Sequence, residues 1–499
     1  MRNLKILLLP LLLAVFFFGC DSEDDEIVDA QAPSADFNLS PIAPIEGEEI
    51  LFYADPEENS GSIVKWYWEF GDAEGSTSDK RNPYFTYQTA GTYKVVLKVL
   101  NSTGISMESS RRITVSPPPP DEFPAKITWE FTTNTVVGNI NDGSSAPVIG
   151  DDGTIYYTES RAGEESKIVA VTDQGESAEL KWASTAVGAE LPNAPSIGPD
   201  GNIYINAWHD DFAINKLNAA DGALIWSGAI GTDVSNNTPA IDSQGNVYHG
   251  SRAQGTNGGV YSWTSDGEKR WEITGVGAFY AAPVISADES TVYFLNTNDG
   301  QIWAINTEDG SQKWEAPVGP GAGIHGTSLS MDADGTVYYT TNTQVVAISD
   351  EGATGAIKWQ IDVDDAANSG VVIGPAGDLY VGSKGGLLSL NPADGSVNWT
   401  YDAEIVESVP AVDVNGNVYV GSTDGFLYIL NPVGGQIKAL ELGDNVVNSP
   451  TISEDGTVFV EASNNSVIKL FKISVDDSGP ADSPWPMKGQ NVKNTGLAQ

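Results

Sequence analysis

From about Ala125 to Lys472 the chain is written in short runs that alternate apolar and polar residues, broken by Gly, Asp and Asn. Residues at i and i+2 share one face of a strand, so the runs predict half-buried β-strands and the breaks predict tight turns. One full unit is NAPSIGPDGNIYINAWHDDFAINKLNAADGALIW, from Asn193 to Trp226. An apolar run at Ala194–Ile197 passes through a turn at Pro199–Asn202 into an alternating strand, Asn202–Ile205. A polar loop then leads to a third strand, Ala213–Leu217, and a turn at Asn218–Gly222 to a fourth strand ending at Trp226. Gly and Asn in these turns tolerate the positive φ that a tight hairpin requires.

The unit recurs. Its aromatic after the first hairpin falls at Tyr156, Tyr204, Tyr248, Tyr293, Tyr338, Tyr380, Tyr419 and Phe459, at spacings of 39 to 48 residues. The opening Pro stands at Pro147, Pro195, Pro239, Pro283, Pro410 and Pro450, with Leu329 and Val371 in the other two repeats. The closing Trp falls at Trp182, Trp226, Trp271, Trp314, Trp359 and Trp399, with Ala439 in the seventh slot. Four strands per unit at this period predict a β-propeller, because one such sheet cannot bury both its faces alone. The last repeat lacks a fourth strand, and Trp129 precedes the first full repeat. Ile127–Thr132 is therefore expected to complete the last sheet, closing a ring of eight blades without a free edge.

The motif AINTEDGSQKW, from Ala304 to Trp314, with its variants KLNAADGALIW and SLNPADGSVNW, resembles the tryptophan-docking repeat of quinoprotein (PQQ-like) propellers. The ending SPWPMKGQNVKNTGLAQ resembles the terminal segment of such proteins. The resemblance covers about 350 residues and extends to BamB-like outer-membrane assembly lipoproteins. It raises a PQQ dehydrogenase as one reading. The family's adjacent cysteine pair is impossible with the single Cys20, and its calcium ligands and catalytic Asp match no positions here. The expectation is no PQQ and no other cofactor.

At the other end, Met1–Gly19 carries Arg2 and Lys5, then an apolar run from Ile6 to Phe18, which reads as a secretory leader. Gly19-Cys20 resembles a bacterial lipobox, making Cys20 the expected lipidation site and the membrane a partner through that anchor. The acidic run Asp21–Glu26 reads as a solvated tether over residues 20–32 and resembles an export signal for outer-leaflet lipoproteins. Surface display on the outer membrane is the expectation, with a periplasm-facing location as the alternative. Residues 33–116 form a separate module with strands at Glu49–Tyr53, Ile63–Phe70, Gly91–Val99 and Arg112–Val115. WEFGD, NPYFTY and AGTYKVVLKVLNSTG occur there in the order of the polycystic kidney disease (PKD) domain, which they resemble. That implies a small immunoglobulin-like β-sandwich with Trp68 and Phe70 in its core and Asp72 tying down a turn. Residues 117–125 are a proline-rich spacer, 126–475 the propeller and 476–499 a tail.

The 499 residues carry a formal charge of -43. Such a chain repels nucleic acid, which is excluded as a partner. His209, His249 and His325 form no HExxH, and no nucleophile motif is recognisable, so no catalytic residue and no metal ligand is assigned. The GxGxxG at Gly321–Gly326 has no helix after it and fails as a dinucleotide site. DADG at Asp332–Gly335 and DVNG at Asp413–Gly416 sit in the hairpin slot of every blade and read as turns, not calcium loops. Function concentrates in variable loops on a rigid scaffold. Loops between second and third strands, with the blade-to-blade crossovers, place Arg161, Trp208, His209, Arg252, Phe279, Tyr280, His325 and Lys384 on one proposed rim, beside Asn193, Asn237 and Asn448. Scarce guanidiniums there suit carboxylate or phosphate, and the aromatics suit sugar rings or a protein anchor. The sequence thus predicts a non-catalytic binding or scaffold protein for a glycan or an outer-membrane protein partner, with a carbohydrate-active enzyme using two of the 68 acids as the alternative.

Overall fold

A computed structural model describes residues 35–499 apart from 42–43, 55–62, 103, 117–122, 134–144, 160–165, 186, 188–192, 208–212, 230–236, 252–257, 298–299, 318–327, 365, 367–368, 404–407, 447, 465–466 and 476–478. The described residues are strands and turns without a helix, so none is long and apolar enough to cross a membrane. The chain divides into two compact units. The smaller draws on the first 113 residues; the larger runs from Thr114 to the end and includes 43–48 and 88–91.

In the smaller unit a three-stranded sheet joins Phe37–Ser40, Ile50–Ala54 and Tyr84–Phe85. A four-stranded sheet joins Thr77–Ser78, Ile63–Glu69, Gly91–Asn101 and Ser106–Val115. The last strand starts six residues before the expected Arg112, because Ile105 and Asn101 close the preceding hairpin at 3.0 Å. Trp68 and Phe70 are buried, as their shared face requires. Trp68 meets Phe37 edge-on at 5.1 Å and gives its indole N–H to the Lys80 carbonyl at 2.9 Å. The Asp72 carboxylate accepts from the Ser76 N–H at 2.7 Å and its hydroxyl at 2.6 Å, fixing the turn.

The described residues of the larger unit form eight four-stranded sheets, each antiparallel throughout, numbered 1 to 8 here by the order of their inner strands. Sheet 2 is Ser196–Ile197, Ile203–Ala207, Ala213–Leu217 and Leu224–Ala229. Its second and third strands are wholly buried, while the fourth faces solvent along most of its length and continues three residues past Trp226. Sheet 8 takes Thr451–Ile452, Val458–Asn464 and Val467–Ser474 from one end of the unit and Lys126–Phe131 from the other. Trp129 lies 5.9 Å from Phe459 and opposite Lys472, so the first strand of the unit closes its last sheet.

The recurring aromatics explain how neighbouring sheets hold together. In seven sheets the Tyr or Phe of the second strand meets the Trp of the fourth with ring centroids 5.7–6.1 Å apart. Each Trp also reaches the next sheet. The indole N–H of Trp182 donates to the Ala219 carbonyl at 2.9 Å, Trp271 to Thr307 at 3.0 Å and Trp359 to Pro392 at 2.8 Å. A glycine in that receiving turn lets the ring approach: a Cβ on Gly395, at φ +74°, would lie 2.6 Å from the Trp359 ring. One residue is bulged just before the Trp, as at Lys181, Lys313 and Lys358. The bulge turns these lysines back across their own sheet to Thr154, Thr291 and Thr336, at 2.9, 2.5 and 3.0 Å.

The seventh slot corrects the sequence register. Lys438, not Ala439, pairs with Ile429 where the other sheets place Trp, because the Asn431–Gly435 turn is one residue shorter than the matching turns of sheets 2, 4 and 6. No Trp is needed there. Sheet 8 draws its fourth strand from Lys126–Phe131, so it has no third-to-fourth turn to receive one. The hairpin aspartates are spent on turns as expected: Asp332 and Asp413 accept N–H bonds from two and four residues on, and from the hydroxyls of Tyr338 and Tyr419 at 2.8 and 3.0 Å.

Candidate functional site

Of the proposed rim, Arg161, Trp208, His209, Arg252 and His325 lie outside the described residues, as does Cys20. Phe279 is not a ligand platform. It is fully buried, edge-on to Trp303 at 5.4 Å and to Phe294 at 6.1 Å, on the third and second strands of sheet 4. Tyr280 beside it is partly exposed. Lys384 is exposed, and its N–H donates to the Asp364 carbonyl at 2.8 Å. Arg270, the third arginine of the propeller, is bound to the Tyr248 and Ser262 hydroxyls at 2.8 and 3.0 Å.

The crossover residues Asn193, Asn237 and Asn448 are buried latches, a second correction. Each crossover begins a sheet at the ring's inner side, where main-chain groups lack strand partners and short polar side chains supply them. Asn206 gives its amide to both the carbonyl and the side-chain oxygen of Asn237 at 2.8 Å, and Asn237 passes its own to the Phe279 and Ala281 carbonyls at 3.2 Å. Serines do the same on the other side. Ser369 Oγ donates to the Ser408 carbonyl at 3.1 Å and accepts the Gly382 N–H at 3.0 Å; Ser408 Oγ accepts the Gly421 N–H at 3.1 Å.

Where sheets 8 and 1 meet, that latch carries charge. Glu461, 0 % exposed, accepts from the Asn448 amide at 2.6 Å. Glu159, 3 % exposed, accepts the Tyr157 hydroxyl at 2.9 Å and the Thr133 N–H at 3.2 Å. Lys488, 4 % exposed, enters from the last segment of the sequence. Burial pushes the Glu461 carboxyl up to about 8, with Glu159 adding repulsion and Lys488 opposing it. Burial pulls Lys488 down to about 7 against the attraction of Glu461. Nothing in the sequence singled these three out among 68 acids and 25 bases. Among the described residues, no group of three or more His, Cys, Asp or Glu is placed to share a metal ion. His249 is buried and held neutral, its value pushed down to about 4 by desolvation, and its Nε2 accepts the Trp263 indole N–H at 3.2 Å.

A cleft of about 450 Å³ opens between the hairpin turns of the same two sheets, lined by Asp151, Asp152, Asp173, Glu454 and Asp455 with Phe459 at its floor. Three of its acids are already paired: Asp152 with Lys181 at 3.0 Å, Asp173 with Lys472 at 2.5 Å and Asp151 with Lys493 at 2.6 Å.

Repeated four-stranded sheets, stitched by a Trp of one into a glycine turn of the next, define a PQQ-like β-propeller. The family model described as outer membrane protein assembly factor BamB matches residues 210–373, 342–435 and 383–477, and this chain belongs to that family. A PKD domain model matches residues 30–115. Serine/threonine-protein kinase AfsK of Streptomyces griseus is 30% identical over 179 residues, 33% of this chain and 21% of that protein. Protein Rv3035 of Mycobacterium tuberculosis is 31% identical over 171 residues, 32% of this chain and 36% of that protein. The chain therefore spans between about a fifth and a third of the length of these relatives. The crystal structure of BamB from Moraxella catarrhalis superposes with a TM-score of 0.50 at 16% identity, covering 70% of this chain and 97% of that one, a likeness of fold.

Proposed function

We propose that this protein is a non-catalytic scaffold of the bacterial envelope, tethered to the outer membrane by a lipid on Cys20, whose propeller holds a protein partner. The observation that carries the reading is the family match over residues 210–477, to a model whose description is an assembly factor of outer-membrane proteins. The binding rim is the crossover side, with Arg161, Trp208, His209, Arg252, Tyr280, His325 and Lys384 as contacts. Phe279 is left out because it is core. The hairpin aspartates are consumed by turns, and the reading assigns no cofactor and no catalytic residue. A second reading, capture of extracellular glycan at the outer surface, is favoured by the PKD module at residues 30–115 together with the acidic tether.

Two experiments test this. Surface protease on intact cells is expected to cleave the protein; full protection would move it to the periplasmic side and remove the glycan reading. Crosslinked pull-down with the intact lipoprotein is expected to recover an outer-membrane protein that the Arg161→Ala, Trp208→Ala, Arg252→Ala triple variant loses. Unchanged recovery by that variant would refute the rim.

A further inference from the structure

The inner strand of each sheet pairs with the second strand along one edge only, which leaves the N–H and C=O groups of the other edge without a partner in their own sheet. The last segment of the sequence uses them. The carbonyls of Val492, Lys493, Thr495 and Gly496 accept the N–H groups of Ile149, Ile197, Ile241 and Ile285, in sheets 1 to 4, at 2.8–2.9 Å. The carbonyls of Trp485 and Pro486 accept those of Ile373 and Val412, in sheets 6 and 7, at 2.8 Å. The segment also gives N–H groups back, from Ala481 to Val412 at 2.8 Å and from Ala498 to Ile285 at 2.9 Å. Six inner strands are thereby tied to one stretch of chain.

Its own shape is set locally. Gly489 accepts the Gly496 N–H at 3.0 Å, and Gln490 and Asn494 hold positive φ of 80° and 56° between them. Asn adopts that conformation readily, whereas a residue such as Gln keeps it only when its surroundings impose it. Asn494 is anchored to sheet 2, with its amide on the Pro195 carbonyl at 3.1 Å and its own carbonyl accepting the Ser196 hydroxyl at 2.8 Å. Trp485 and Met487, each 1 % exposed, are packed in the core. Lys488 follows them and is buried, attracted by Glu461, which Glu159 in turn repels. An amine drawn this far from water gives up part of its charge, and Glu461 is the acid that attracts what remains.

We propose that Pro480–Ala498 is a strap that locks the propeller ring from its axial end, with Lys488 as its key and Glu461 as the keyhole. The strap pairs with inner strands as an added strand pairs with a sheet edge, and the key fixes it where sheets 8 and 1 meet.

Hydrogen exchange on the full chain, read by mass spectrometry, tests this without any ligand. In the unmodified protein, peptides spanning Trp485–Ala498 are expected to be as protected as those spanning Ile203–Ala207. In Lys488→Met, strap peptides and those containing Ile149, Ile197, Ile241 and Ile285 are expected to exchange roughly tenfold faster or more, with Ala213–Leu217 unchanged. In the double variant Lys488→Met, Glu461→Gln the buried carboxyl left without its amine is gone, and protection is expected to recover at least in part. Strap peptides that exchange at the free-chain rate in the unmodified protein would overturn the strap. Wild-type protection in Lys488→Met, uniform loss across the propeller, or no recovery in the double variant would overturn the key.

Discussion

A single glycine decides whether one sheet can dock on the next. Gly395 and Gly377 both hold positive φ, of 74° and 87°, but only Gly395 faces a ring; around Gly377 nothing lies within 4 Å of a new Cβ. Alanine at either strains the backbone by ~1–2 kcal/mol. At Gly395 it also collides with Trp359, which adds ~1–3 kcal/mol. Urea denaturation of the two variants is expected to show that gap, and equal losses would mean that the Trp contact contributes nothing. Glu461 makes a second prediction. Its carboxyl is raised in the folded state, so its contribution to stability is present below the ordinary range near 4.5 and lost as pH rises through about 8. Melting temperature in Glu461→Gln is expected to gain on the unmodified protein by a few degrees between pH 5 and pH 8. A constant difference across that range would show that Glu461 does not titrate there.

At the scale of the element, the fourth strand carries the joint. Trp129 packs against Phe459 and gives its N–H to Asp173 of sheet 1 at 2.9 Å, so it spans the seam where the ends of the unit meet. Trp129→Ala is expected to cost ~3–5 kcal/mol by chemical denaturation. Lys438→Trp is expected to yield no gain, since sheet 8 offers no turn to receive the ring; a raised melting temperature would refute that account. Much of this was legible in the sequence. Tyr and Trp spacing gave each sheet its second and fourth strands, and the unmatched Trp129 gave the closure. The seventh slot was misread because a turn one residue shorter leaves the spacing pattern nearly intact while shifting the register. Phe279 was misread because a loop aromatic looks the same in sequence whether it turns inward or outward. The Glu461, Glu159 and Lys488 cluster was invisible, since its members stand over 300 residues apart from first to last and belong to no motif.

Across the whole larger unit, stability depends on continuity. Sheets held only by their neighbours gain stability from each joint, and a ring has one more joint than an open row. Lys126–Phe131 completes sheet 8 by pairing with Val467–Ser474, and from it Trp129 makes the extra joint to Asp173 of sheet 1. At its exposed edge Lys469 meets Glu130 at 2.7 Å, an ion pair open to a zero-length carbodiimide crosslinker. Lys181 and Asp152, at 3.0 Å within sheet 1, provide an internal standard of similar geometry. Crosslinking of the purified monomer, followed by peptide mass spectrometry, is predicted to join Lys469 to Glu130 as readily as Lys181 to Asp152. Formation of the second link without the first would contradict a closed ring.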